Sequence, residues 1–151
     1  MIATNFVVIG VGNEYRRDDG VGPAAAREVG RSRPGWRVLI SDGEPTAMLD
    51  AWAGTRLAVV VDATVGTGPP GAIRRHEIGE ASLARRSRHA GSHSLGPAEA
   101  WALSRILGVD PGRVVVYTLE VTEVGYGVGL SPATAAALPA VVRAVIDECE
   151  R

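Results

Sequence analysis

The sequence predicts a layered α/β domain with helices on both faces of a mainly parallel sheet, and three observations carry that expectation. Short β-branched runs alternate along the chain with stretches of helical periodicity. The apolar residues are chiefly Val, Ala, Leu and Ile, with one Phe, which suits aliphatic strands and small-residue helices packed in layers. The 151 residues are enough for one domain, and a domain of that size buries roughly 70% of its extended-chain surface. We therefore expect a single three-layer α/β/α domain over residues 1–151, with a twisted sheet of about five strands, one of them antiparallel.

The elements follow in order. Phe6–Gly10 is a continuous apolar run of the kind buried on both faces of a parallel sheet. A polar loop, Asn13–Asp18, leads to a helix starting near Asp19, with Pro23 in its first turns and Gly30 as its stop. Trp36–Ser41 reads as a second strand ended by Asp42-Gly43, and Thr46–Ala53 as a short helix capped by Thr46. Leu57–Val61 is the most apolar strand and closes on Asp62. The Gly- and Pro-rich stretch before Ala72–Ile78 has no room for a crossover helix, so the fourth strand should run antiparallel to the third. Gly79–Gly91 is polar and Arg-rich, a mobile surface loop. Ser94–Leu107 has helical periodicity with Leu95, Ala98, Ala102, Leu103 and Ile106 inward. Arg113–Leu119 is the fifth strand; the Gly-rich Glu123–Gly129 leads to a helix opened by Ser131-Pro132, which Pro139 should kink or split.

Composition excludes several classes. A formal charge of -1 lacks the broad basic face of a nucleic-acid binder. The single Cys149 forbids an internal disulfide framework and a thiolate-only metal cage. No stretch approaches the roughly 20 apolar residues of a membrane span, and Phe6–Val11 is too short for a signal-peptide core. The expectation is a cytoplasmic chain without membrane or nucleic-acid partners.

Ligand sites in such sheets form beyond the carboxyl ends of the strands. Asp18-Asp19, Asp62 and the loop residue His93 all fall there. Each has a plainer reading: Asp19 as a helix cap, Asp62 as an Asx-turn, His93 as a solvated imidazole. Together they could bind a borderline divalent metal with coordination positions left open, or the carboxylates could serve as acid and base in peptide hydrolysis. Other motifs fail. Gly10-Val11-Gly12 has Tyr15 where the third glycine of a dinucleotide fingerprint belongs, and its acidic pair would repel a pyrophosphate. No phosphate loop or nucleophile elbow is present, and Glu80 stands where a zincin sequence beginning at His76 needs its second His. Cys149 lies in an acidic helix, a packed or idle thiol.

Val8-Ile9-Gly10-Val11-Gly12-Asn13, followed by Asp18-Asp19-Gly20-Val21-Gly22, resembles the opening signature of hydrogenase maturation proteases. The resemblance continues through Asp42-Gly43, Val60-Val61-Asp62-Ala63, Pro70-Gly71, Ser92-His93-Ser94-Leu95-Gly96 and Gly129-Leu130-Ser131-Pro132, nearly the whole chain. It implies a single α/β domain that removes a short C-terminal peptide from the large subunit of a [NiFe]-hydrogenase after nickel insertion. In family terms Asp19, Asp62 and His93 bind the metal and serve catalysis, with nickel supplied by the precursor and no nucleotide cofactor. Gly12, Asn13, Asp42 and Gly43 would let backbone approach an extended tail, and a monomer is expected. Arg85, Arg86 and Arg88 are either precursor contacts or a solvated loop. Asp-Gly-Glu-Pro-Thr after the second strand departs from the commoner Asp-Gly-Gly-Thr, and Leu119-Glu120-Val121 from the usual Gly-Ile, so Glu120 is assigned no role. The rival expectations are a nucleotide-binding doubly wound module and a non-catalytic nickel-sensing chaperone.

Overall fold

The computed structural model describes residues 5–66, 68–79 and 96–151. Five strands, β1 (Phe6–Val11), β2 (Val38–Ser41), β3 (Leu57–Thr64), β4 (Ile73–Glu77) and β5 (Arg113–Glu120), form one sheet in the order β2-β1-β3-β5-β4. Neighbours are parallel except β4, which pairs antiparallel with β5. β4 therefore runs opposite to β3, as its short connection dictates, but β5 lies between them. The chain crosses the end of β5 through Gly71 N–H to Glu120 O at 2.8 Å and Glu120 N–H to Ala72 O at 2.9 Å.

Alternate residues of the central strands serve opposite layers. Val8, Val59, Val61, Val115 and Tyr117 pack under α1 (Val21–Ser32) and the C-terminal helix through Ala25, Val29, Val141 and Val145. Val7, Ile9, Val60, Val114 and Val116 pack under α2 (Pro45–Trp52) and α3 (Pro97–Leu107) through Met48, Leu49, Trp52 and Ala100. Each fully buried Val or Leu contributes about 1.5–3 kcal/mol of transfer free energy, so the three central strands dominate the core. The indole N–H of Trp52 donates to Ser104 Oγ at 2.9 Å and ties α2 to α3. On the other face α4 (Pro132–Glu150) is anchored by Glu148, 2% exposed, which accepts from Arg75 Nε and Tyr117 OH, each at 2.7 Å.

Several boundaries differ from the sequence expectation. A 3-10 turn, Arg17–Gly20, precedes α1, whose N-cap is Gly20 without a side-chain bond, so Asp19 does not cap it. Gly30 lies inside α1, where the helix packs on Val38. The cap of α2 is Glu44, not Thr46: its carboxylate accepts from the N–H groups of Thr46 and Ala47, with Pro45 opening the helix. β3 does not close on Asp62 but continues to Thr64, paired with β5. Trp36 lies before β2 and stacks edge-on against Phe6. Gly96 is the N-cap of α3, and Ile106 is 81% exposed on its last turn. α4 runs unbroken through Pro139: Pro139 and Ala135, whose carbonyl loses its helical partner, both face solvent. Ser94, Leu95 and most of Gly79–Gly91 lie outside the described residues.

Candidate active site

The glycines after β1 decide how closely the chain can fold over the sheet edge. A Cβ on Gly22 would come within 2.2 Å of Val11 O and 2.6 Å of Val61 O, and one on Gly10 within 2.2 Å of Gly22 O. Gly12, with φ +152°, has Asp19 O where its Cβ would stand. The glycine pattern thus docks the first turn of α1 against β1 and β3, filling with backbone the space a dinucleotide fingerprint would give to phosphate. The same packing brings the 3-10 turn carrying Asp19 to the edge where β3 delivers Asp62.

The two adjacent aspartates have different duties. Asp18 is fully buried, and its two oxygens accept from Ser131 N–H and Ser131 Oγ, both at 2.7 Å. Its own N–H donates to Glu123 O, and neighbouring bonds from Arg17 N–H to Gly127 O and Gly127 N–H to Tyr15 O bind the two loops together. Arg17 is held at φ 46°, a conformation uncommon outside glycine, within this clasp. Asp19 is half-buried; Asn13 N–H donates to its Oδ2 at 2.8 Å, and among the described residues no bond engages Oδ1. Asp18 is engaged at both oxygens, and Asp19 at one among the described residues.

Asp62 is half-buried and sits opposite Thr118 of β5, on the face that carries Val60 toward α2 and α3. Glu120, two residues beyond Thr118, shares that face at the same edge. The residue is 6% exposed, and among the described residues its Oε2 has no hydrogen-bond partner. Cβ atoms on Gly66 and Gly68 would lie 2.9 and 3.1 Å from its Oε1, so the carboxyl fits against the loop because these two positions are glycine. Burial without a partner is costly, and no local sequence signal announces it. His93, Arg85, Arg86 and Arg88 lie outside the described residues. Among the described residues no group of three or more His, Cys, Asp or Glu could hold a metal, and His93, the third residue of the expected ligand set, is not among them.

Beside this edge a cavity of 790 Å³ opens between β2, α2 and the loop after β1, with Gly12, Asn13 and Asp42 on its wall and Ile9, Leu39 and Met48 among its apolar lining. Asp19 and Asp62 do not line the cavity; Asn13, which donates to Asp19, does. Gly43 is not part of the wall. Its φ of +94° makes the turn into α2, with its N–H donating to Ser41 Oγ at 3.0 Å. Asp42 Oδ1 accepts from Glu44 N–H at 3.1 Å, an Asx-type turn that leaves the residue exposed. Glu14 of the wall is kept below the usual carboxylate range by its hydrogen bond to Arg27. The Cys149 thiol is pushed up to about 12, first by burial and then by Glu148 and Glu150, which leaves no nucleophile there.

No family model and no curated protein matches the chain. Solved structures do. A hydrogenase-maturating endopeptidase from E. coli superposes with a TM-score of 0.81 at 20% identity, covering 96% of this chain and 91% of that one. A [NiFe] hydrogenase maturation protease from Thermococcus kodakarensis gives 0.76 at 19% identity, with 95% and 98% covered. A hydrogenase 2 maturation peptidase from a Thaumarchaeota archaeon gives 0.69 at 22%, with 95% and 96% covered. The chain has the fold of the hydrogenase maturation endopeptidases over nearly its whole length.

Proposed function

We propose that this chain is an endopeptidase that removes a C-terminal extension from the nickel-loaded large-subunit precursor of a [NiFe]-hydrogenase. The observation that carries the reading is the division of labour in Asp18-Asp19: Asp18 is consumed by Ser131, while among the described residues nothing engages Asp19 Oδ1. The shared fold supports it, as does an open cavity large enough for several residues of extended peptide.

Asp19, Asp62 and His93 are the residues that would hold the nickel brought by the precursor, since carboxylate and imidazole suit a borderline divalent ion. Bound there, the metal supplies polarisation of a carbonyl or of water. The chain's own groups orient the peptide, and either carboxylate can take the proton of the attacking water. Two protein carboxylates and one imidazole leave positions open, so the site stays incomplete until the substrate arrives, which makes nickel insertion the signal for cleavage. Among the described residues no helix is long and apolar enough to cross a membrane. The reading places the enzyme in the cytoplasm, acting as a single copy on the precursor.

The test is incubation with nickel-loaded and nickel-free precursor, read by intact mass. Loss of a C-terminal peptide from the loaded form alone is expected, and Asp62→Asn and His93→Ala should abolish it. Intact precursor after incubation with a folded wild-type chain would overturn the reading.

A further inference from the structure

β2 is the edge of the sheet, and among the described residues nothing pairs with its outer side. The carbonyls of Arg37 and Ser41 accept from Val8 and Gly12 N–H, both at 3.0 Å. Residues in a parallel ladder turn alternately toward each neighbour, so the N–H and C=O groups of Val38 and Ile40 point away from β1. Natural edges are usually blunted by charge, proline or a bulge. This one reads Val-Leu-Ile-Ser and leaves Leu39 37% and Ile40 45% exposed.

We propose that the extended tail of the precursor adds to β2 as a sixth strand, with alternate side chains entering the cavity against α2; this rests on the protease reading above. Strand addition supplies main-chain bonds for affinity and pockets at every second residue for selectivity. The cavity lies on the Leu39 side and is lined there by Ile9, Met48 and Ala51, so it takes apolar side chains at alternate positions.

Continuity with the catalytic edge identifies the occupant. Gly12 N–H donates to Ser41 O, the last residue of β2, and Asn13 N–H donates to Asp19 Oδ2. A peptide beside β2 therefore reaches, at the end of the strand, the loop that holds Asp19. Gly12 and Asn13 line the cavity at this end of the strand. A four-residue strand spans about 13 Å, which suits a short tail rather than a folded face.

Two measurements test it, with the nickel-loaded large-subunit precursor as the probe. In Ile40→Pro the edge-facing N–H is lost while the β1 ladder keeps its bonds; kcat/KM should fall about tenfold or more, and by clearly more than in Ile40→Ala, which trims the side chain but keeps the N–H. In the wild-type chain, adding precursor should slow hydrogen exchange at the Val38 and Ile40 amides. This second readout stands if Ile40→Pro fails to fold. A folded Ile40→Pro chain that cleaves at the wild-type kcat/KM, or unchanged exchange at both amides, overturns strand addition and leaves the protease reading intact. Slowed exchange without cleavage would uphold strand addition and sink the protease reading. Amides protected before precursor is added, in a chain that sediments as a dimer, would assign the edge to a second copy and overturn the proposal.

Discussion

Replacing Asp18 and Asp19 one at a time by asparagine should separate stability from activity. Asp18 is fully buried and receives two 2.7 Å bonds from Ser131. Bonds to a charged group contribute about 1.5–3 kcal/mol each. In asparagine the oxygen still accepts from Ser131 N–H and the amide can donate to Ser131 Oγ, whose hydrogen turns to Thr134 Oγ1, so two bonds to a charged group become two weaker neutral ones. The expected cost is about 2–4 kcal/mol, and at about 2–4 °C per kcal/mol for this chain length Tm should fall by about 10 °C. Asp19 is half-buried and its one bond, from Asn13 N–H, can be accepted as well by an amide oxygen. Asp19→Asn should therefore stay within about 0.5 kcal/mol of wild type, while cleavage falls about 100-fold or more through loss of the carboxylate. The assay pairs thermal melting by circular dichroism with precursor cleavage well below Tm. An Asp18→Asn chain that melts like wild type, or an Asp19→Asn chain that cleaves at the wild-type rate, would refute the division of roles.

Two further perturbations follow from the packing. The Glu148 carboxyl is held at about 2, chiefly by its hydrogen bond to Arg75, against an ordinary value of 4.5. A depressed carboxylate contributes stability that is present above pH of about 4.5 and lost as pH falls toward 2, here about 3 kcal/mol. Urea unfolding across that window should show a steep acid loss in wild type and a flatter one in Glu148→Gln; parallel acid limbs would show that the contact with Arg75 carries no such linkage. In Gly22→Ala the new methyl would meet Val11 O at 2.2 Å and Val61 O at 2.6 Å, pushing α1 off the strands. Strain of about 3 kcal/mol is expected, with a Tm loss near 10 °C and reduced cleavage although Gly22 touches no substrate; a wild-type melt would show that α1 does not rest on those carbonyls.

Much of the architecture was legible because local pattern and global packing agree. The β-branched runs at Phe6–Val11, Leu57–Val61 and Arg113–Leu119 are buried on both faces, and the direction of β4 follows from a connection too short for a crossover. Illegible features depend on distant partners. Nothing local distinguishes Asp18 from Asp19: the difference is Ser131, 113 residues away. β3 overruns Asp62 because Thr118–Glu120 of β5 continue the ladder, a pairing no window around Asp62 contains. Glu44 caps α2 in place of Thr46 because Pro45 fits the first helical position. The turn that carries Asp19 docks on the sheet through glycine contacts whose closeness only the fold reveals. The burial of Glu120, whose Oε2 has no partner among the described residues, carried no local signal, because it is set by Gly66 and Gly68 on another strand's loop.

Intact-mass spectrometry of the large-subunit precursor shows whether nickel gates cleavage. Loaded and unloaded precursor are incubated in parallel with wild-type chain and with Asp62→Asn. We expect one C-terminal peptide released from the loaded precursor by the wild-type chain, and intact mass in the other three reactions. Equal cleavage of loaded and unloaded precursor would contradict the gating, and no cleavage by a folded wild-type chain would contradict the protease assignment itself.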